Sequence, residues 1–234
     1  MMAAASKLAV LIPAFNAAQT LAGVLDQVLG LSLPVLVVND GSTDETASVV
    51  EGYPAVKALV HPHNRGKGAA LKTGFQAALR LGYSHVLSLD ADGQHPVEAV
   101  PEFLKLAGER PQAILVGDRF ADNTIEKMPA VRRWSNGLSS KPISWAAKTR
   151  ISDAQCGMRV YPLGAISSIE LESDGYAMES EVLVKAGRCG VEIVNIPIAC
   201  HYPQGTKTSG YRALYDSWRI ARVVLRSLKQ GKRR

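Results

Sequence analysis

The chain has 234 residues, 47% of them hydrophobic and 21% charged, with a formal net charge of +6. That length suits one domain with a small appendage, and the composition is that of an ordinary globular protein rather than a disordered or fibrous one. Three widely spaced cysteines (Cys156, Cys189 and Cys200) include no CxxC pair, which argues against a disulfide framework or a zinc site and fits a reducing cytoplasm.

The first apolar run, LAVLIP (8–13), reads as a strand and meets Pro13 and Asn16 too early for a secretory signal. A helix follows it, with Leu21, Val24, Leu25, Val28 and Leu29 on one face. PVLVVND (34–40) is a second strand, and Ser42 or Asp44 is placed to cap the helix after it. VKALVH (56–61) precedes GKGAALKTGFQAALRLGY, where Leu71, Phe75, Ala78 and Leu79 recur at helical spacing. HVLSLD (85–90) and AILVGD (113–118) bracket a helical PVEAVPEFLKLAG. A polar segment and a helix fill 121–150, followed by MRVY, a helical MESEVLVKAGRCG and the strand VEIVNIPI. Strands alternating with helices imply right-handed crossovers, an α/β fold and a mainly parallel central sheet flanked by helices. No stretch reaches the roughly 18 apolar residues of a membrane span.

Ligands of such sheets bind beyond the carboxyl ends of the strands. Polar residues gather at those ends: Asn16, Asn39–Asp40, Asn64–Arg65, Asp90–Asp92 and Asp118–Arg119. Asp90 and Asp92 are two apart in extended chain, so their side chains point the same way and repel unless a cation lies between them. With Gln94 they offer hard oxygen ligands suited to Mg²⁺ or Mn²⁺. A calcium loop beginning at Asp90 is excluded, because its sixth and twelfth positions are His95 and Pro101. The glycine-rich NRGKGAALKTG (64–74) fails both the P-loop and the GxGxxG patterns. Its Arg65, Lys67 and helix-start amides can bind an anion, or its glycines can serve close packing on the sheet.

Taken together, PAFN (13–16), VVNDGSTD (37–44), NRGKGAALKTG (64–74), DADGQHP (90–96) and DAQCGMRVY (153–161) resemble the family 2 glycosyltransferases of GT-A fold. The nearest likeness is to the dolichol- or polyprenyl-phosphate mannose and glucose synthase branch, over about residues 7–200. The resemblance implies a Rossmann-like GT-A domain over 1–205, and the charge pattern adds a basic C-terminal amphipathic helix and tail over 206–234. It also implies that Asp90, Asp92 and Gln94 hold a divalent cation on the nucleotide-sugar diphosphate. Pro13, Phe15, Asn16 and Asp40 hold the nucleotide, and Ser42, Lys67 and Asp90 complete that donor set. Many members carry DDGS where this chain has Asn39-Asp40-Gly41-Ser42, an amide replacing a carboxylate.

Arginine suits phosphate geometry, and in the resembling branch arginines between Arg119 and Arg133 face the lipid phosphate. Arg119 and Arg132, with Lys127 and Arg133, are therefore the acceptor candidates. A phosphate acceptor is already anionic, whereas a hydroxyl acceptor needs a carboxylate base, for which Asp153, Glu179 and Glu181 are available. The catalytic set so read is Asp92, Arg119, Arg132, Asp153 and Glu181. From Lys207 onward nine basic residues face the single acid Asp216. On a helical wheel Arg219, Arg222, Arg226 and Lys229 fall on a narrow face, and Trp218, Ala221, Val224, Leu225 and Leu228 on a broad apolar one. That pattern suits an interfacial helix on anionic lipid, or a helix packed on its own domain.

The reading is a metal-dependent, inverting glycosyltransferase that takes a GDP- or UDP-sugar as donor and a lipid phosphate as acceptor. Its expected place is the inner face of the cytoplasmic membrane, in peripheral contact with anionic lipid and without a nucleic-acid partner. Transfer to a hydroxyl of a glycolipid or polysaccharide is the alternative. A non-catalytic nucleic-acid module explains the basic tail but not the acidic rim.

Overall fold

The computed structural model describes residues 7–121 and 140–199, together with Ala221, Arg222, Val224 and Arg226 near the C-terminus. Its strands are β1 (Leu8–Ala14), β2 (Val35–Asn39), β3 (Val56–Val60), β4 (His85–Ser88), β5 (Ile114–Asp118), β6 (Arg159–Pro162) and β7 (Ile193–Pro197). The helices are α1 (Ala18–Leu29), α2 (Thr46–Glu51), α3 (Lys67–Arg80), α4 (Val100–Glu109), α5 (140–147), α6 (Leu163–Ser167) and α7 (Ala177–Arg188). Among the described residues the strands form one sheet in the order β3-β2-β1-β4-β6-β5-β7. All pairings are parallel except those of β6, which runs antiparallel to both β4 and β5.

The expected architecture, an α/β domain with a mainly parallel sheet, is present. Strands β1, β2, β4 and β5 are almost wholly buried, as runs of Val, Ile and Leu covered by helices on both faces should be. β3 forms one edge; it is largely exposed and carries Lys57, a charge that discourages further strand pairing. α1 buries Leu21, Val24, Leu25 and Val28, the stripe its periodicity predicts. α3 buries Leu71, Phe75 and Ala78 but leaves Leu79 42% exposed, because the helix rotates that position away from the sheet. The Phe75 and Tyr161 rings meet at 4.9 Å, tying α3 to β6.

Two features position the site. β1 is flanked by β2 on one side and β4 on the other, so the chain reverses its direction of sheet growth there. That switch point opens a crevice between the carboxyl ends of β1 and β4. The antiparallel β6 brings the segment before it, 153–158, to the same rim, with Arg159 paired to Ser88 at the end of β4. At the C-terminus Val224 is buried in the core, and the Arg226 guanidinium lies 4.0 Å from the Glu172 carboxylate. At those positions the tail packs on its own domain, while Ala221 and Arg222 are exposed; Trp218, Arg219, Leu225, Leu228 and Lys229 lie outside the described residues.

Candidate active site

The loops after β1 and β2 are stitched together by side chains. The Asn16 amide donates to Ser42 Oγ at 3.0 Å, and Asn16 Oδ1 accepts from the Thr43 amide at 2.8 Å. Asn39 Oδ1 accepts from the Ser42 amide at 3.0 Å. Asn16 holds a left-handed φ of 49°, a conformation that asparagine tolerates better than most residues. Asp44, not Ser42, starts α2: its Oδ1 accepts from the Thr46 amide at 3.0 Å, while Oδ2 takes the Ala18 amide at 3.1 Å. Phe15 is left 46% exposed above half-buried Pro13, an open apolar surface at the mouth of the crevice.

Asp40 faces inward. It is 2% exposed, and its Oδ1 takes His61 Nδ1 at 2.6 Å and the Arg65 amide at 3.0 Å. Its Oδ2 takes the Gly66 amide at 2.7 Å. The Arg65 and Gly66 amides at the entry to α3 are thus taken by an anion of the chain itself, Asp40. Gly66 permits this with φ 94°, a backbone state that disfavours any side chain. His61 completes the support by reaching Thr73 Oγ1 at 3.0 Å.

The loop so fixed delivers Lys67 to the rim. Its Nζ lies 2.6 Å from Asp90 Oδ1 and 3.0 Å from Glu179 Oε2, with the Tyr176 ring 5.9 Å away. Burial alone would depress the ammonium, but Asp90 and then Glu179 outweigh it and hold Lys67 above its usual range. Asp90 also meets His95 Nε2 at 3.1 Å. Against the cost of burial, Lys67 and His95 hold the Asp90 carboxyl well below the usual range. His95, in turn, is pushed up to about 10, the bond to Asp90 overcoming its burial. Gly157 lies directly against the Asp90 carboxylate, where a β-carbon would overlap it. Glu179 is 6% exposed, and its Oε1 has no hydrogen-bond partner among the described residues.

Asp92 is half-buried at the turn after β4, its Oδ1 accepting from the Gln94 amide at 3.0 Å. Burial and then the charge of Asp90 raise its pKa. An added cation relieves both penalties, so the oxygen donors Asp90, Asp92 and the buried Gln94 fit a hard divalent ion. Among the described residues no group of three His, Cys, Asp or Glu could hold a metal unaided. Further oxygens would have to come from a ligand.

Three of the expected catalytic residues stand elsewhere or are already engaged. Asp153 is fully buried and receives Arg119 in a two-pronged pair, Nε to Oδ2 at 2.6 Å and Nη2 to Oδ1 at 3.0 Å. Each was expected to face an acceptor, one as a base and the other as a phosphate ligand; the structure makes them partners. Glu181 is turned away from the rim: it accepts from the Glu172 and Ser173 amides at 3.0 and 2.7 Å and pairs with Lys185 at 2.7 Å. The glutamate of α7 that reaches the rim is Glu179. Arg132, with Lys127 and Arg133, lies outside the described residues.

Two supporting residues carry no signal of their own in the sequence. His61 was only the last letter of a strand. Arg159, fully buried, donates to the carbonyls of Cys156 at 2.7 Å, Ala154 at 2.7 Å and Glu179 at 3.0 Å, joining the 153–158 segment to α7. Lys67 was legible as a cation, but its two carboxylate partners, 23 and 112 positions on, were not.

The sequence model of glycosyl transferase family 2 matches residues 9–167. The chain is 30% identical over 206 residues to an undecaprenyl-phosphate mannosyltransferase of Micrococcus luteus, covering 80% of this chain and 81% of that one. It is 28% identical over 221 residues to a dolichyl-phosphate beta-glucosyltransferase of Trichomonas vaginalis, covering 86% and 67% respectively. The fold is similar to that of glucosyl-3-phosphoglycerate synthase from Mycobacterium tuberculosis, crystallised with Mn²⁺, UDP and phosphoglyceric acid. The TM-score is 0.70 at 17% identity, over 95% of this chain and 77% of that one.

Proposed function

The chain belongs to glycosyl transferase family 2, and on that premise we propose that it moves a hexose from a GDP- or UDP-sugar to a polyprenyl phosphate. The observation that carries the acceptor reading is the similarity to sugar transferases that act on polyprenyl phosphates. Two of the three candidate bases are taken up, Asp153 by Arg119 and Glu181 by the 172–173 loop, while Glu179 gives one oxygen to Lys67 and has the other unpartnered among the described residues. A hydroxyl acceptor would need a carboxylate to take its proton. A phosphate monoester brings its own negative oxygen and needs none.

On the donor side, Phe15 and the Asn16–Ser42 stitch offer an apolar and a polar surface to the nucleotide at the switch point. A Mg²⁺ or Mn²⁺ ion held by Asp90, Asp92 and Gln94 would neutralise charge on the departing nucleoside diphosphate. The crystallisation of a structural relative with Mn²⁺ and UDP supports that assignment. Lys67 keeps a fixed positive charge beside Asp90, and Gly157 leaves room for the Asp90 carboxylate. Arg132 and Arg133 remain the proposed ligands of the acceptor phosphate. Among the described residues no helix is long and apolar enough to cross a membrane. The similarity to a transferase acting on undecaprenyl phosphate supports the proposal of peripheral contact with the inner face of the cytoplasmic membrane.

The test is transfer of radiolabelled sugar from GDP-mannose and UDP-glucose, each with Mn²⁺, to polyprenyl phosphate and to the matching polyprenol. Product on the phosphate alone is expected. Product on the alcohol at a comparable rate would establish the hydroxyl reading instead.

A further inference from the structure

We propose that the outward face of α5 and the turn after it seat the protein on an anionic membrane surface, a contact that rests on the lipid-phosphate reading above. α5 buries Ile143, Ala146 and Ala147 completely. Its opposite side presents Lys141 and Trp145, four residues apart on one face of the helix, and exposed Lys148 follows in the turn. Trp145 is 69% exposed, the most of any large hydrophobic residue among those described. It borders a shallow depression of about 690 Å³, lined by Ser144, Trp145, Lys148, Thr149, Arg150 and Arg188. Three of those six are cations and none is an acid.

The turn is built rather than loose. Ser144 Oγ donates to the Ile151 carbonyl and accepts from the Ile151 amide, both at 3.0 Å. Asn195 Nδ2 donates to the Arg150 carbonyl at 2.9 Å, and the Thr149 amide to the Ser144 carbonyl at 3.2 Å. Lys148 closes α5 with φ 58°, the left-handed position that glycine ordinarily fills. The chain tolerates that strain and keeps a charged side chain at the edge of the depression. An indole with an apolar body and a polar N–H suits the headgroup level of a bilayer, and a ring of Lys and Arg suits its anionic lipids. A single aromatic residue makes no stacking platform for nucleic acid. In the described part of the tail Val224 is turned into the core and supplies no apolar anchor.

Co-sedimentation with phosphatidylcholine vesicles, with and without phosphatidylglycerol, compares the full chain with its Trp145→Ala and Lys148→Gly variants. Lys148→Gly relieves the left-handed backbone, so it should melt no lower than wild type while its binding to phosphatidylglycerol vesicles falls several-fold. Trp145→Ala should lose binding as well. Wild type should prefer the anionic vesicles and release them as salt is added. Variants that sediment like wild type, or a wild type retained on duplex DNA but not on phosphatidylglycerol vesicles, would overturn the proposal. Transfer to detergent-dispersed polyprenyl phosphate is read on the same preparations. Full transfer with vesicle binding indifferent to both substitutions removes this surface alone. Vesicle binding that needs Trp145 and Lys148, in a protein that transfers no sugar, removes the function and leaves the surface.

Discussion

Arg119 and Asp153 close on each other through two parallel contacts, at 2.6 and 3.0 Å, with the carboxylate wholly shielded from solvent. A two-pronged guanidinium–carboxylate pair in that setting orients the 153–158 segment against the end of β5. Breaking one partner of a buried pair typically costs about 3–5 kcal/mol, because the other is left charged and alone. Asp153→Asn and Arg119→Met should therefore each destabilise the fold strongly, and the double variant by clearly less than their sum. Urea unfolding of the four proteins measures this. Strict additivity would show that the two residues act separately.

Asp92 should separate stability from activity. Burial and the charge of Asp90 both disfavour its ionised form, so Asp92→Asn removes a repulsion and should leave the melting temperature unchanged or higher. The same change weakens the oxygen donor set for a divalent ion, and turnover should fall on the order of a hundredfold or more. Thermal melting beside a Mn²⁺-dependent transfer assay checks both signs at once. An active variant with unchanged metal dependence would remove Asp92 from the site.

The two glutamates of α7 should fail in different ways. Glu181→Gln weakens the pair with Lys185 and the bonds to the Glu172 and Ser173 amides, so a stability loss of about 1–3 kcal/mol is expected with little change in turnover per folded molecule. Glu179→Gln removes one of the two carboxylates that hold Lys67, and its effect should fall on turnover rather than on unfolding. Denaturant titration and initial rates on matched preparations tell them apart. The reverse assignment of effects would refute the roles read from the helix.

His61 should matter although it is remote from the rim. His61→Ala deprives the buried Asp40 carboxylate of one partner, for an expected loss of about 1–3 kcal/mol. It also loosens the loop that places Lys67, so KM for the nucleotide sugar should rise with it. A KM unaltered in a destabilised variant would confine His61 to the fold.

Much of this site was legible because strand ends are legible. Alternating apolar strands and helical stripes fix where β1, β2 and β4 stop, and Asn16, Asp40, Asp90 and Asp92 follow at those stops. Direction was not. MRVY reads as a strand, but nothing in its four letters says that β6 enters the sheet antiparallel between β4 and β5. Partners were not legible either. Arg119 and Asp153 are 34 positions apart, and each alone looks like a candidate for chemistry. Glu179 and Glu181 differ by about 200° around a helix, so one had to face away, yet only the packing of α7 beside α3 decides which. Arg159 looked like the end of a motif and proved to be an internal brace.

The antiparallel β6 divides the rim into two kinds of chain. The ends of β1, β2 and β4 are exits from the sheet, the first two tied to each other by Asn16 and Ser42 and the third held through Asp90 by Lys67 and His95. The 153–158 segment is an entrance, tied instead to Arg119 and, through Arg159, to α7. Across the seam Gly157 lies against the Asp90 carboxylate, and its carbonyl accepts from Ser88 Oγ at 2.7 Å. A chimaera that takes residues 140–155 from a relative and keeps Cys156, Gly157 and Met158 should therefore retain its preference for the donor nucleotide.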